Sequence, residues 1–460
     1  MTESPCESPT AVDNPEIPSV DYESLPPLKQ DRAFWGMTGT LFFGAFNDNV
    51  FKQLVLLLAA TNATAEGSDQ QGPAMILFAA PFILFSGIAG FFSERNSKRL
   101  IIILSKAAEV VVMSLGLVLL IAFPMAGVAL SDGAGLAGLF AVLFLMGAQS
   151  AFFGPGKFGM LPEMLRERDL PKANGIVMMA SFLAIIFGTA MAGPCKDLFV
   201  DPGYPWVVGV FCVLIAAIGL TSSIFLRRTP VANPDLRFEW SAVGIPTDVW
   251  RYLRTDGALL GALAVTCMFW LIGGVVLMVV NNLGLGGVFY ERDNKFADTW
   301  TSLLNAAVGV GIGLGCVSAG VISRGRADFR LMRIGCAGTV LWLTLLSIPG
   351  TESPTLLNYP MTLFVLMLLG FFTGLFIVPL QVFLQSRPPQ GQKGRIIATM
   401  NLTNWIFILF SGVLYTALAP LFERLAWING MFLVTAGLMM LVVIFYRPRD
   451  EREVKEEPEC

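Results

Sequence analysis

The sequence predicts an all-α membrane protein in which twelve transmembrane helices form two six-helix bundles. Of the 460 residues, 55% are hydrophobic and only 14% are charged, which is more apolar surface than a soluble chain of this length can bury. The apolar residues fall into twelve runs, and each is long enough to cross a bilayer, which takes roughly 20 residues. A basic segment at 227–256 separates the first six runs from the last six.

The connections between the runs alternate in charge. In chain order, the runs lie near residues 34–60, 74–92, 100–123, 135–153, 174–193, 206–226, 257–281, 298–322, 331–348, 360–380, 397–418 and 425–446. The connections at 61–73, 124–134 and 349–359 contain no Lys or Arg, whereas those at 93–99, 154–173, 227–256 and 323–330 contain several each. Because basic connections stay in the cytoplasm, both termini are predicted to be cytoplasmic, as an even number of spans requires.

Polar tails flank two bundles that resemble each other weakly. Residues 1–30 are rich in Pro, Ser, Asp and Glu, which predicts a disordered cytoplasmic tail and not a signal peptide. The predicted organisation continues with a bundle at 31–226, a cytoplasmic linker at 227–256, a bundle at 257–446 and a cytoplasmic tail at 447–460. The Phe-Phe-Gly-Pro stretch at 152–155 is matched 224 residues later by Phe-Ile-Val-Pro, and parallel repeats are typical of secondary transporters.

The absence of histidine excludes several kinds of catalytic, metal-binding and proton-transfer site. A chain without His has no Ser-His-Asp triad, no His-ligated metal and no His proton relay. Its seven Cys show no CxxC spacing and lie mostly in apolar runs, which favours small buried residues over disulfides or a metal site. We therefore expect no catalytic residues, no metal, no cofactor and no nucleic-acid partner. Any coupling to a proton or sodium gradient must use carboxylates.

The first apolar run carries a polar cluster near mid-depth. Asp48 lies about 14 residues into the run, which corresponds to ~21 Å of helix. Burying that carboxylate costs at least ~2.5–3.5 kcal/mol unless it has a partner. Lys52 follows four residues later, within reach of an ion pair, and Asn47, Asn49 and Gln53 surround the pair. The pattern predicts that Asp48 and Lys52 line a central cavity, bind a charged or zwitterionic group and switch partners; the alternative is a neutralised pair that only locks the first helix.

Further polar residues are candidates for the site or its gates. Lys106 and Glu109 form a second pair at i, i+3, and either substrate contact or structural pairing suits them. Gly90, Glu94, Arg95 and Arg99 lie at and after the end of the second run, and positive-inside anchoring is one interpretation of this basic stretch. Further gating candidates are Gly154 and Pro155, and the weaker cavity-lining candidates are Gln381, Gln385, Arg395, Asn401 and Asn404.

The eighth run contains Gly309, Gly311, Gly313 and Gly315 at alternate positions. The pairs Gly309/Gly313 and Gly311/Gly315 have the small-xxx-small spacing that lets membrane helices approach closely. We expect close packing, and flexing of a gating helix is the alternative.

Several of these motifs carry a family resemblance. The stretch Gly90 to Arg99 resembles the signature between helices 2 and 3 of the major facilitator superfamily, with Glu94 in place of the usual Asp. The resemblance implies that Gly90, Glu94, Arg95 and Arg99 belong to a cytoplasmic latch that closes when the protein faces outward, with positive-inside anchoring as the alternative. Residues 43–52, Phe-Gly-Ala-Phe-Asn-Asp-Asn-Val-Phe-Lys, resemble the first-helix signature of bacterial lysophospholipid transporters of that superfamily. They are closest to the transporter half of fused transporter–acyltransferase–acyl-carrier-protein synthetases. Residues 106–110, 152–163, 374–381 and 394–398 resemble the same group, as do Asn401 and Asn404.

The resemblance implies a flippase of the bacterial inner membrane. Such a protein has the major facilitator fold and moves lysophospholipids, chiefly lysophosphatidylethanolamine, from the outer to the inner leaflet for reacylation. This sequence stops at Cys460 without an acyltransferase domain and has no His, so we expect a separate acyltransferase/acyl-carrier-protein synthetase as partner, besides membrane lipids. The residues alone suit any zwitterionic amphiphile, and an efflux carrier or a non-transporting scaffold for an acyltransferase are the alternatives.

Overall fold

The computed structural model describes residues 25–65, 69–166, 169–228, 244–245, 247–286, 289, 294–323, 328–350, 355–388 and 393–446. Every regular element within these residues is helical, and twelve helices are long and apolar enough to span a membrane. The predicted all-α fold class with twelve spans is confirmed.

The helices follow the apolar runs. They are α1 (Arg32–Ala65), α2 (Gln71–Arg95), α3 (Lys98–Met125), α4 (Gly133–Met164), α5 (Leu170–Cys195), α6 (Pro205–Ile224), α7 (Thr247–Thr255), α8 (Gly257–Leu285), α9 (Ala297–Ser323), α10 (Phe329–Ser347), α11 (Tyr359–Ser386), α12 (Lys393–Arg424) and α13 (Met431–Phe445). The short α7 lies inside the segment that was expected to be only a linker. It buries Val249 and Leu253, which are four residues apart and therefore share one helix face.

The fourth and eleventh helices extend beyond the predicted ends. The run near 135–153 was expected to stop before Gly154-Pro155, but α4 continues to Met164, and α11 likewise runs through Pro379 to Ser386. A proline removes one backbone hydrogen bond, and neighbouring helices can compensate for that loss in a membrane bundle. The extension matters because it moves Lys157 from an expected connection into a helix.

The helices pack as two groups, α1–α6 and α8–α13. The groups meet where α2 packs against α12 and α5 packs against α9. We call the end with the α2–α3 and α4–α5 connections the basic end, and the end with the α1–α2 and α3–α4 connections the opposite end.

The two groups contact each other at the opposite end and separate towards the basic end. Near the opposite end of the α5–α9 interface, a Cβ on Gly193 would meet the Asp298 carbonyl, and further along a Cβ on Gly309 would meet Ile186. One turn closer to the basic end, a Cβ on Gly313 would have no described atom within 4 Å. The α5–α9 interface is therefore tight at the opposite end and wider towards the basic end.

The glycines of α9 divide between close packing and open space. A Cβ on Gly311 would lie 2.0 Å from the Met367 carbonyl oxygen, and one on Gly315 would lie 2.1 Å from that of Phe371. Gly370 and Gly374 of α11 meet the α9 backbone in the same way. Close packing of small residues explains Gly311 and Gly315, whereas Gly313 lies on the face that separates from α5.

Candidate functional site

The polar side chains of α1 lie against other parts of the protein. Asn47, Asn49 and Gln53 are buried, whereas Asp48 and Lys52 are half-buried. The polar atoms of α1 thus avoid lipid, as their cost in hydrocarbon requires. Asp48 and Lys52 keep the partial exposure that contact with a ligand needs.

Asp48 and Lys52 take different partners in this structure. The Asp48 Oδ2 atom accepts a hydrogen bond of 2.7 Å from the Ser150 hydroxyl of α4. Its Oδ1 atom is buried and accepts no hydrogen bond from any described residue. The Lys52 ammonium donates to Asn49 Oδ1 at 2.9 Å and lies 5.3 Å from the centre of the Phe78 ring. The i, i+4 ion pair suggested by the spacing is not formed here, and both charged groups retain bonding capacity.

Lys106 and Glu109 of α3 form the enclosed part of the cluster. Their charged atoms lie 2.6 Å apart, and their side chains are 3% and 1% exposed. Asn47 donates to the second carboxylate oxygen of Glu109 at 3.0 Å, and the Lys106 ammonium lies 4.5 Å from the centre of the Phe153 ring. This geometry favours the structural-pairing interpretation of Lys106 and Glu109 in the present conformation.

Gly44 makes room for that buried pair. A Cβ at this position would lie only 2.0 Å from the Lys106 ammonium nitrogen and 3.7 Å from Glu109 Oε2. A larger residue would therefore displace Lys106 from its place between α1 and α3. Gly44 belongs to the first-helix signature, but sequence reasoning assigned it no role because its neighbour is 62 residues away in the chain.

Lys157 is a third basic residue that sequence reasoning assigned to a connection. Its side chain is half-buried in α4, and its charge interacts with those of Lys106 and Asp48. Two carboxylates (Asp48 and Glu109) and three ammonium groups (Lys52, Lys106 and Lys157) thus share this region, which leaves it with a formal net charge of +1. We call these five residues the charged cluster. Such a set can bind a ligand that carries both signs of charge.

An aromatic group borders the charged cluster and joins the two groups of helices. The Phe82 ring of α2 stacks on the Trp405 ring of α12 at 3.5 Å and an interplanar angle of 6°. Phe78, which contacts Lys52, also meets Trp405 edge-on at 5.8 Å. The charged cluster and these three aromatic rings are therefore adjacent, as binding of an amphiphilic ligand requires.

The predicted latch residues lie apart from the charged cluster, at the basic end. Glu94 and Arg95 are exposed, and a Cβ on Gly90 would meet no described atom within 4 Å. Arg99 donates to the Ile224 carbonyl of α6 at 3.0 Å, within its own group of helices. Beside them, Lys98 forms an ion pair with Glu163 of α4. The described contacts of these residues stay within α1–α6, so no closed latch is seen in this part of the structure.

The remaining candidates are spread over α4, α11 and α12. Gly154 and Pro155 are half-buried within α4, and a Cβ on Gly154 would meet no described atom within 4 Å. Asn404 is buried and accepts a weak hydrogen bond from the Cys267 thiol at 3.7 Å, whereas Asn401 is exposed. Gln381 is half-buried and Arg395 is exposed, and the Gln385 side chain lies outside the described part. The structure does not bring these C-terminal candidates into the charged cluster.

Two groups of six long helices, with charged residues buried at mid-depth beside their interface, define a multi-pass membrane transporter. The family model of the Major Facilitator Superfamily matches residues 34–412, and the chain belongs to that superfamily. The expected family resemblance is thereby confirmed.

Comparisons with curated and solved proteins agree with this assignment. The chain is 26% identical to the lysophospholipid transporter LplT of Yersinia enterocolitica over 387 residues, covering 81% of this chain and 84% of the relative. The Yersinia pestis LplT is also 26% identical, over 83% of this chain and 85% of its own. Among solved structures, a D-xylose–proton symporter superposes with a TM-score of 0.66 at 13% identity, over 90% of this chain and 97% of its own. The nucleoside transporter NupG gives 0.61 at 12% identity, over 89% and 98%.

Proposed function

We propose that this protein is a flippase that moves lysophospholipids such as lysophosphatidylethanolamine across the cytoplasmic membrane by alternating access. The observation that carries the proposal is the buried Oδ1 atom of Asp48, which accepts no hydrogen bond from any described residue and belongs to the charged cluster. The LplT relatives, whose names specify lysophospholipid transport, support the same substrate class.

The charged cluster is complementary to a zwitterionic head group. The free oxygen of Asp48 would accept a hydrogen bond from the lipid ammonium, and Lys52 or Lys157 would bind the phosphate. Phe78, Phe82 and Trp405 would contact the start of the acyl chain, because Phe78 lies beside Lys52 and packs against Trp405, on which Phe82 stacks. Lys106 remains paired with Glu109 in this scheme.

The conformation supports a transport cycle with two access states. The helix groups touch at the opposite end and separate towards the basic end. Since basic connections stay in the cytoplasm, we infer that the structure represents the inward-facing state and that the termini are cytoplasmic. Transport would run from the outer to the inner leaflet of the bacterial inner membrane, where a separate acyltransferase would consume the lysolipid. Proton or sodium coupling would use Asp48, because its carboxylate is half-buried with bonding capacity left.

Uptake of labelled lysophosphatidylethanolamine into spheroplasts and proteoliposomes tests this function. Asp48→Asn removes the charge that would meet the lipid ammonium, a hydrogen bond worth about 1.5–3 kcal/mol, and should raise the half-saturating concentration at least about tenfold. Asp132→Asn is the matched control, because Asp132 is exposed in the α3–α4 connection and makes no side-chain cap bond. Normal uptake by Asp48→Asn, or transport of cationic drugs without lysolipid flux, would refute the proposal.

A further inference from the structure

The described polar contacts between the helix groups at the opposite end form two separate clusters. One joins α2 to α8 and α12 around Asp69, and the other joins α5 to α9 around Lys196. We call them the Asp69 clasp and the Lys196 clasp.

The Asp69 clasp places one carboxylate between donors from both groups. Asp69 lies two residues before α2, where its Oδ1 atom accepts from the Gln71 backbone N–H at 2.9 Å. Its Oδ2 atom accepts from the Gln71 side chain at 2.9 Å, from Asn282 of α8 at 3.1 Å and from the Tyr415 hydroxyl of α12 at 2.5 Å. Gln71 and Tyr415 are almost fully buried. Because an ionised carboxylate only accepts hydrogen bonds, Asp69 is the acceptor that holds these donors together.

A chain of amides links the Asp69 clasp to the helix of the charged cluster. Gln53, one residue after Lys52 in α1, donates to Asn281 of α8 at 2.8 Å. Asn281 in turn donates to the Gln71 side chain at 2.9 Å. All three amides are 0% exposed, so each would lose a buried partner if α8 separated from α1 and α2. A movement of α1 at the charged cluster would therefore act directly on the clasp.

The Lys196 clasp uses an ion pair for the same connection. Lys196, just after α5, lies 2.6 Å from Asp298 in the first turn of α9. Neighbouring Asp197 accepts from the Thr299 backbone N–H at 2.7 Å and from its hydroxyl. Asp201 also pairs with Lys196 at 3.3 Å, and its side chain is half exposed. Both interfaces between the groups are thus closed by polar contacts at one end of the molecule.

We propose that the two clasps form the outer gate, with Asp69 and Lys196 as its central groups, and that both must break before the charged cluster is exposed on the outer side. The inference rests on the proposed alternating-access cycle. It assigns the gate to Asp69, Gln71, Asn282 and Tyr415 at one interface and to Lys196, Asp197, Asp298 and Thr299 at the other. Among the described hydrogen bonds and ion pairs, none joins either clasp directly to the charged cluster.

Distances between spin labels on the outer side of each helix group test the gate without any lipid substrate. Labels are attached to cysteines introduced at Tyr204 and Met361, which are 57% and 55% exposed on different groups, after the seven native Cys are replaced. Asp69→Asn replaces one acceptor oxygen by an amide NH2 group among other donors, and Lys196→Met removes the ion pair. Each variant should shift part of the distance distribution to longer values, and the double variant should shift most of it.

Asp256→Asn is the control, because its ion pair with Arg387 lies within one group at the basic end and should leave the distribution unchanged. Tyr415→Phe removes a single hydroxyl donor from Asp69 and provides a milder variant in case Asp69→Asn fails to fold. An unchanged distribution in the monodisperse double variant would overturn the gate assignment. If the unmodified protein takes up no lysolipid while the gate variants still shift the label distances, the proposed substrate is refuted and the gate assignment stands.

Discussion

The buried Lys106–Glu109 pair allows a quantitative prediction about stability. At 2.6 Å, the two charges attract each other by about 6 kcal/mol at an effective dielectric constant of about 20. The desolvation of both ions offsets much of that attraction, but removing one partner leaves the other buried and unpaired, which typically costs about 3–5 kcal/mol. We therefore expect Glu109→Gln to destabilise the protein by about 3 kcal/mol, although Gln can still accept the hydrogen bond from Asn47.

Thermal unfolding of detergent-purified protein, followed by the monodisperse fraction after heating, measures this effect. For domains of 150–250 residues 1 kcal/mol corresponds to ~2–4 °C and larger chains respond less, so Glu109→Gln should lower the apparent Tm by roughly 3–8 °C. The double variant Lys106→Gln/Glu109→Gln should recover most of this loss, because no uncompensated charge remains. Asp256→Asn removes one partner of a partly exposed pair and should change stability at pH 7 by no more than about 1 kcal/mol.

An unchanged Tm for Glu109→Gln, or additive losses in the double variant, would refute the reasoning. Either result would mean that Lys106 finds another anion when Glu109 is neutralised. Asp48 is the acidic neighbour that interacts with it. Lys106 would then be free to bind substrate, and the substrate-contact interpretation of this pair would replace the structural one.

Two further predictions follow from packing and from pH. Gly311→Ala should destabilise the protein by about 1–3 kcal/mol, because its Cβ would lie 2.0 Å from a backbone oxygen of α11. The Cβ of Gly313→Ala would meet no described atom within 4 Å, so this control should leave the Tm unchanged. Equal changes in Tm for the two substitutions would contradict this packing. Burial alone would raise the pKa of Asp256, but hydrogen bonds from Arg387 and from the backbone N–H groups of Leu259 and Ala258 hold this pKa below its ordinary value of 3.8. Its stabilising contribution is therefore present above pH 3.8 and lost as the pH falls further, and Tm measurements from pH 6 to pH 3 should show a smaller acid-induced decrease in Asp256→Asn than in the unmodified protein.

The sequence and the structure agree best where burial depends on hydrophobicity alone. Each apolar run became a helix, because a chain in hydrocarbon must satisfy its backbone hydrogen bonds internally. Helix ends were harder to predict, since Gly154-Pro155 is typical of a break and yet lies inside α4. Whether a proline ends a helix in a bundle depends on its neighbours, and the sequence does not specify them.

Within the candidate site, sequence spacing identified the charged residues but not their partners. Spacing suggested an ion pair between Asp48 and Lys52. In the structure, Asp48 instead accepts a hydrogen bond from Ser150, and Lys52 donates one to Asn49. The contacts of Gly44 with Lys106 and of Asp69 with Tyr415 join residues 62 and 346 positions apart, respectively. No local pattern reports contacts at such separations.

By itself, the sequence determined that lipid is the solvent of this protein, that twelve helices cross it and that charged residues lie within the first and third helices, because hydropathy and the cost of burying charge act on each segment separately. Only the tertiary structure decided which charges pair, that Lys157 joins them, and that the two groups of helices meet at the end opposite the basic connections. Those outcomes depend on which side chains of distant segments come within about 3 Å of one another, where hydrogen bonds form.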